Sequence, residues 1–267
     1  MQLEFGVYQH EMSERMLRFP KLSKLVRKIF GYTGIGNYAR YKVYKDLLKE
    51  IPLDKCEKIL DLGCGYGEYS FMLRDALPNA NITALDVVGE KTALIDRVIH
   101  KHQMKNLSTF TGKVDQLDDK GFDFVFSVDV FEHIDKHEMP FRDVMERLTP
   151  GGHLLVKIPN VTQKTLFPDS WFEEHQDWLE DEHIGQVYDL EGLKGRFEEE
   201  GFEVVYAAYS DGWASRIAWE LWYLSKKGGA VVHLLTLPIS KFLIWVDRLG
   251  KKRSWGNAIQ VIGRKKA

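Results

Sequence analysis

Residues 59–70 read ILDLGCGYGEYS, an apolar run carrying one acid, Asp61, that turns through the alternating glycines Gly63, Gly65 and Gly67. A strand passing into a helix through such a turn is a common way to hold a nucleotide. The spacing argues against two classes of nucleotide. A dinucleotide fingerprint needs G-x-G-x-x-G, and its last position falls on Glu68 or on Ser70, depending on which glycine begins it. Glu68 would set a carboxylate where pyrophosphate must approach the helix N-terminus. No Gly-Lys-Ser/Thr follows, so an ATP-type phosphate loop is also excluded.

Outward from this turn, short apolar runs alternate with helical patterns. The runs are KILDL (58–62), NITALDV (81–87), LSTF (107–110), FDFVFSV (122–128) and HLLVKI (153–158). EYSFMLRDAL, EKTALIDRVIHKH and KHEMPFRDVMERL lie between them and carry apolar residues at helical spacing. Strand–helix alternation of this length predicts a doubly wound, mostly parallel sheet. Thr149-Pro150-Gly151-Gly152 reads as a turn, and Asp189 as the cap of a helix over DLEGLKGRFEEE that Gly201 stops. Two more strands, FEVVYAAYS and NAIQVIGRKK, would complete seven. The 45 or so residues between these two exceed a hairpin loop and read as an insertion. The expected organisation is a helical N-terminal cap (1–50), a core (51–210 with 257–267) and a helical insertion (211–256).

With its acid at the start and Asp86 at the next strand end, D-x-G-x-G-x-G resembles the class I S-adenosylmethionine-dependent methyltransferases over roughly residues 55–210 plus the last strand. The resemblance implies a Rossmann-like fold and S-adenosyl-L-methionine as cofactor. It places Asp61, Gly63, Cys64, Gly65 and Gly67 around the methionine portion, and Asp86 and Val87 at the ribose. Glycines let backbone approach closely, and the two acids suit an ammonium and a diol. Relatives carry Gly-Asp-Ala-Asp/Glu at the next motif; here it is Gly112-Lys113-Val114-Asp115, so the adenine contact passes to Asp115 or to the Val114 backbone. The fourth strand resembles the family motif ending in Glu132-His133-Ile134, with Ser127, Val128 and Asp129 beside the cofactor. LTPGGHLLVKIPN resembles the fifth-strand turn.

Methyl transfer from a sulfonium needs mainly alignment, and a hydroxyl acceptor profits from a general base. His133 and His183 are the candidates. His183 sits in an H-x-x-x-x-Y block similar to methyltransferases encoded among cell-envelope glycan genes, whereas His153 reads as structural. The resemblance therefore implies O-methylation of a small polar or lipid-linked acceptor such as a glycan, glycolipid or quinone-like molecule. N- or C-methylation and an inactive cofactor-binding regulator are the alternatives. A nucleic-acid substrate is not expected, because the Asn/Asp-Pro-Pro-aromatic motif is absent after the fourth strand. No metal cluster is expected.

The 267 residues are 44% hydrophobic and 28% charged, ordinary for a globular chain. Two cysteines, Cys56 and Cys64, flank one predicted strand; a reducing, cytoplasmic setting and no signal peptide are expected. Net charge is about +5 over residues 1–50, about −16 over 51–212 and about +9 over 213–267, so basic ends flank an acidic centre. Either the ends fold back on the body or they meet an anionic surface. At the N-terminus, Tyr38, Arg40 and Tyr41 are expected at the cofactor carboxylate or substrate. The insertion, with its tryptophans and lysines, reads as a lid, a dimer partner or a peripheral membrane element over 213–253.

Overall fold

The computed structural model describes residues 3–12, 19–172, 188–250 and 253–266. The apolar runs form strands β1 (Lys58–Leu62), β2 (Asn81–Asp86), β3 (Leu107–Thr111), β4 (Phe122–Val128), β5 (Leu148–Pro159), β6 (Phe202–Ser210) and β7 (Ala258–Lys265). They join one sheet in the order β3-β2-β1-β4-β5-β7-β6. Strands β1 to β5 pair in parallel, and β7 runs antiparallel to both β5 and β6. This is the doubly wound, mostly parallel sheet that the alternation predicts.

Both faces of the sheet are covered, which is why its strands read as nearly continuous apolar runs. Ile59, Phe124 and Phe126 point to one layer, where they meet Tyr44 of α2 (Ile35–Leu47), Phe71 of α3 (Glu68–Ala76) and Ile95 of α4 (Gly89–His102). Leu60, Val125 and Val156 point to the other, against Phe141 of α5 (Phe141–Arg147) and Phe197 of α6 (Leu190–Glu199). Asp189 caps α6 by accepting from the Gly192 amide at 2.7 Å.

Two local readings change. Thr149–Gly152 is not a free turn; it opens β5, whose pairing with β4 shifts register between Phe122 and Phe124. Helix α5 begins only at Phe141, with Pro140 at its N-cap, where the missing N–H and fixed φ cost least. Residues 136–138 form a separate 3₁₀ turn.

The ends of the chain pack together. Between β6 and β7 lie α7 (Trp213–Ser225) and α8 (Gly229–Asp247), and before α2 lies α1 (Pro20–Phe30). Ile35 of α2, Ala218 of α7 and Leu237 and Ile244 of α8 form a third buried cluster. Arg248 reaches Asp46 at 2.6 Å, and the Lys241 ammonium donates to the Phe30 carbonyl. The basic ends thus fold against each other, and Arg40 reaches across to Asp129 in the acidic centre. Buried Asp247 closes the helical segment on itself, accepting from the Gly212 amide (3.0 Å), the Ser215 hydroxyl (2.9 Å) and Arg253 (3.0 Å).

Candidate active site

The sheet order reverses between β1 and β4, and a cavity of about 1490 Å³ opens there at the carboxyl ends of the strands. That crevice is where open α/β sheets bind ligands. One side of it is the glycine turn. A Cβ on Gly63 would lie 2.4 Å from Val130, and the residue sits at φ +78°, so glycine is required twice over. At Gly65, also left-handed, a Cβ would meet nothing within 4 Å, because the space beyond it is the cavity.

Asp61 is 2% exposed and accepts from the Ser70 hydroxyl at 2.6 Å. Burial pushes its carboxyl up to about 7. A buried carboxyl short of positive charge is a fitting partner for an ammonium group. Asp86 accepts from the Gly65 amide with one oxygen and from the Val88 amide with the other, each at 2.9 Å, and so straps the glycine turn to β2. Each oxygen keeps a lone pair for a ribose hydroxyl. Exposed Val87, buried Val114 and exposed Asp115 continue the wall beyond Asp86. Lys113, where relatives carry an acid, instead pairs with Glu138 at 2.6 Å at the cavity edge. These residues fit S-adenosylmethionine, which carries an ammonium, a diol and no phosphate.

Glu68, the residue that argues against pyrophosphate, has its own task. The Tyr32 hydroxyl donates to it at 2.7 Å, and the Asn37 amide reaches its other oxygen at 3.5 Å. The carboxylate clasps the N-terminal segment across the start of α3.

The opposite side of the cavity is a buried charged floor, whose Asp129 and Arg40 are singled out in the sequence and whose Lys157 and Asp211 are not. Lys157 on β5, 2% exposed, stands 3.3 Å from Asp129 and 3.5 Å from Asp211. The two acids follow β4 and β6 and adopt the left-handed conformation, at φ +54° and +53°. Arg40 also pairs with Asp129 and donates to Asn37 at 2.9 Å. Burial alone would raise the Asp129 carboxyl, but Arg40 and Lys157 hold it below the usual range. Burial would likewise lower the Lys157 ammonium, yet Asp129 and Asp211 raise it. Glu132, 1% exposed, is pushed up to about 8 by burial and then by Asp129. Its Oε2, the Asp211 Oδ1 and the Asn257 Nδ2 are buried without hydrogen-bond partners, and all three residues line the cavity.

Of the residues singled out in the sequence, Asp61, Gly63, Cys64, Gly65, Asp86, Val87, Val114, Asp115, Arg40 and His133 line this cavity. Cys64 is a buried thiol whose ionisation burial pushes far up, so it serves as wall rather than nucleophile. Gly67 is outside the lining and shapes the turn. Ser127 is also outside it: its hydroxyl donates to the Leu62 carbonyl at 2.9 Å and braces the end of β1. Tyr41 donates to the Leu3 carbonyl, away from the cavity, which Tyr38 does not line either. His153 pairs in register with Arg264 of β7, outside the cavity. His183 lies outside the described residues.

A family profile described as a methyltransferase domain matches residues 36–207. Trans-aconitate 2-methyltransferase of Rhodopseudomonas palustris is 28% identical over 123 residues, 45% of this chain and 46% of that protein. (S)-coclaurine N-methyltransferase of Thalictrum flavum is 25% identical over 126 residues, 44% of this chain and 34% of that one. Phosphoethanolamine N-methyltransferase 2 of Haemonchus contortus, solved with S-adenosyl-L-methionine, shares the fold at a TM-score of 0.60 and 17% identity, over 92% of this chain and 57% of its own. The chain spans about half the length, or less, of the curated relatives it matches. The names of these relatives point to small metabolites rather than to cell-envelope glycans.

Proposed function

The chain belongs to the methyltransferase-domain family, and on that premise we propose that it moves a methyl group from S-adenosyl-L-methionine to an oxygen of a small polar metabolite. S-adenosylmethionine supplies, when bound, a methyl group on a sulfonium that departs as a neutral thioether. The chain's own residues hold and align the partners. Asp61 meets the ammonium, Asp86 the ribose hydroxyls, and Val87, Val114 and Asp115 flank the adenine. Across the cavity, Lys157 and Arg40 orient an oxygen-rich acceptor, and their charges are balanced by Asp129 and Asp211.

The observation that carries the acceptor assignment is Glu132. It is a buried carboxyl with an unpartnered oxygen in the cavity wall, raised to about 8 and so basic enough to take a hydroxyl proton as the new C–O bond forms. His133, in the same turn, lines the cavity and is the second proton acceptor within reach of this reading. The test is to incubate the chain with methyl-labelled cofactor and pools of hydroxy acids, polyols, phenols and amines, and to locate the label. Label on oxygen supports the proposal. Label on nitrogen supports the second reading, N-methylation, which is favoured by the N-methyltransferases among the similar proteins and by the capacity of an ionised Glu132 to hold an ammonium. Cofactor binding without turnover on any pool would make the chain a regulator. The same proposal places the chain in a reducing cytoplasm, where its two buried cysteines stay free thiols.

A further inference from the structure

Helix α8 is amphipathic in the wrong sense for water. Every exposed residue from Gly229 to Val246 is apolar, including Val231 (72% exposed), Leu235 (66%), Ile239 (55%), Phe242 (58%) and Trp245 (53%). The stripe continues to Leu249 (59%), at spacings of three and four residues that line one helix face. The polar residues turn the other way. Ser240 is buried and donates to the Ala218 carbonyl, while His233 and Thr236 bond Ser225 at the hairpin turn. A contiguous apolar face of this length marks a docking surface.

What covers it follows from the charges around it. Helix α1 ends against α8 through the contact of Lys241 with Phe30, and its own exposed Leu25 and Ile29 extend the apolar surface. Exposed Lys21, Lys24 and Lys28 border that extension, and Lys226 and Lys227 stand at the near end of α8. Neither residues 19–45 nor 221–246 contain an acid. A second copy would bring lysines towards lysines, whereas an anionic lipid surface complements both the apolar stripe and its rim. The stretch Trp213–Asp247 is apolar enough by composition to cross a bilayer, but it breaks at Lys226–Gly228 and packs its inner side on the body. It therefore lies in the interface plane. We propose that the exposed face of α8, with α1, docks the protein on an anionic membrane surface. Helix α7, beneath α8, carries Arg216 and Trp219 to the cavity wall, so the docked surface and the acceptor seat share one hairpin.

The test uses the whole chain and vesicles of phosphatidylcholine with and without about a third phosphatidylglycerol. Co-sedimentation should be at least tenfold stronger on the anionic vesicles and should weaken as salt is raised. Leu235→Asp with Ile239→Asp, both solvent-facing and therefore compatible with folding, should abolish it at an unchanged melting temperature. Lys21→Glu with Lys24→Glu should remove the preference for anionic lipid. Absence of vesicle binding, binding indifferent to lipid charge, or binding unchanged in the Asp pair would overturn the proposal. A dimer of the wild type that the Asp pair dissociates would assign the face to a second copy instead. Lipid binding is read without any turnover, so its failure leaves the methyl-transfer assignment untouched.

Discussion

At the residue scale, Asp61 and Asp86 are both strand-end acids, yet their surroundings divide the work. Asp86 spends both oxygens on backbone amides, which hold its carboxylate rigid for the diol proposed to bind there. Replacing it with alanine removes a charge-assisted pair of contacts, and affinity for S-adenosylmethionine should fall at least tenfold, about 1.4 kcal/mol. Among the described residues no cation pairs with Asp61, and burial raises its carboxyl to about 7. An ammonium ligand binds its ionised form, so cofactor affinity should climb with pH between about 6 and 7.5, because each bound ligand then displaces fewer protons. Asp61→Asn should flatten that slope in a pH series of binding measurements; an unaltered slope would remove the ammonium role. For Glu132 the same sign applies to turnover. Once an acceptor is in hand, kcat/KM should rise as pH approaches about 8 and then level, as the free carboxyl ionises. Glu132→Gln should lower kcat about a hundredfold and erase the limb; a fall in activity with the limb retained would mean a structural role. The two cradle acids were legible because each sits a few residues from a glycine turn or strand end. Lys157 and Asp211 were not, because no local pattern records that β4, β5 and β6 end side by side, and Glu132 stood in a recognised motif without its burial beside Asp129 being visible.

At the scale of elements, the strands and the helices between them could be read from period and turn residues alone. The exceptions have local causes: Pro140 delays α5, and the bulged start of β5 absorbs the Thr149–Gly152 segment into the sheet. Ser127 looked like a cavity residue by position along β4, but its hydroxyl is committed to the Leu62 carbonyl of the neighbouring strand. The fastening of α7 and α8 was equally invisible, since Asp247 finds Gly212, Ser215 and Arg253 only after the chain has turned back on itself. Asp247→Ala strips three donors of a buried acceptor, one of them a cation. It should cost about 3 kcal/mol and lower the melting temperature by several degrees, read by calorimetric scanning. A variant as stable as the parent would show that the hairpin is held elsewhere.

At the scale of the whole molecule, the two ends of the chain are one structural layer. The sequence shows them as separate basic segments, and their charge sums alone left open whether they meet the body or an outside surface. Folding sets α1 and α2 against α7 and α8, fills the seam with Ile35, Ala218, Leu237 and Ile244, and turns an apolar face of α8 outward. Beneath that layer, the cavity joins a cradle suited to a sulfonium cofactor with a charged floor suited to a polar acceptor. The central claim is that this cavity binds S-adenosylmethionine through Asp86 and the glycine turn. Titration calorimetry of the purified chain with S-adenosylmethionine and with its demethylated product tests it most directly. One site per chain for both ligands, with affinity at least tenfold weaker in Asp86→Ala, is the predicted result. No binding of either ligand, or equal binding by the variant, would contradict it.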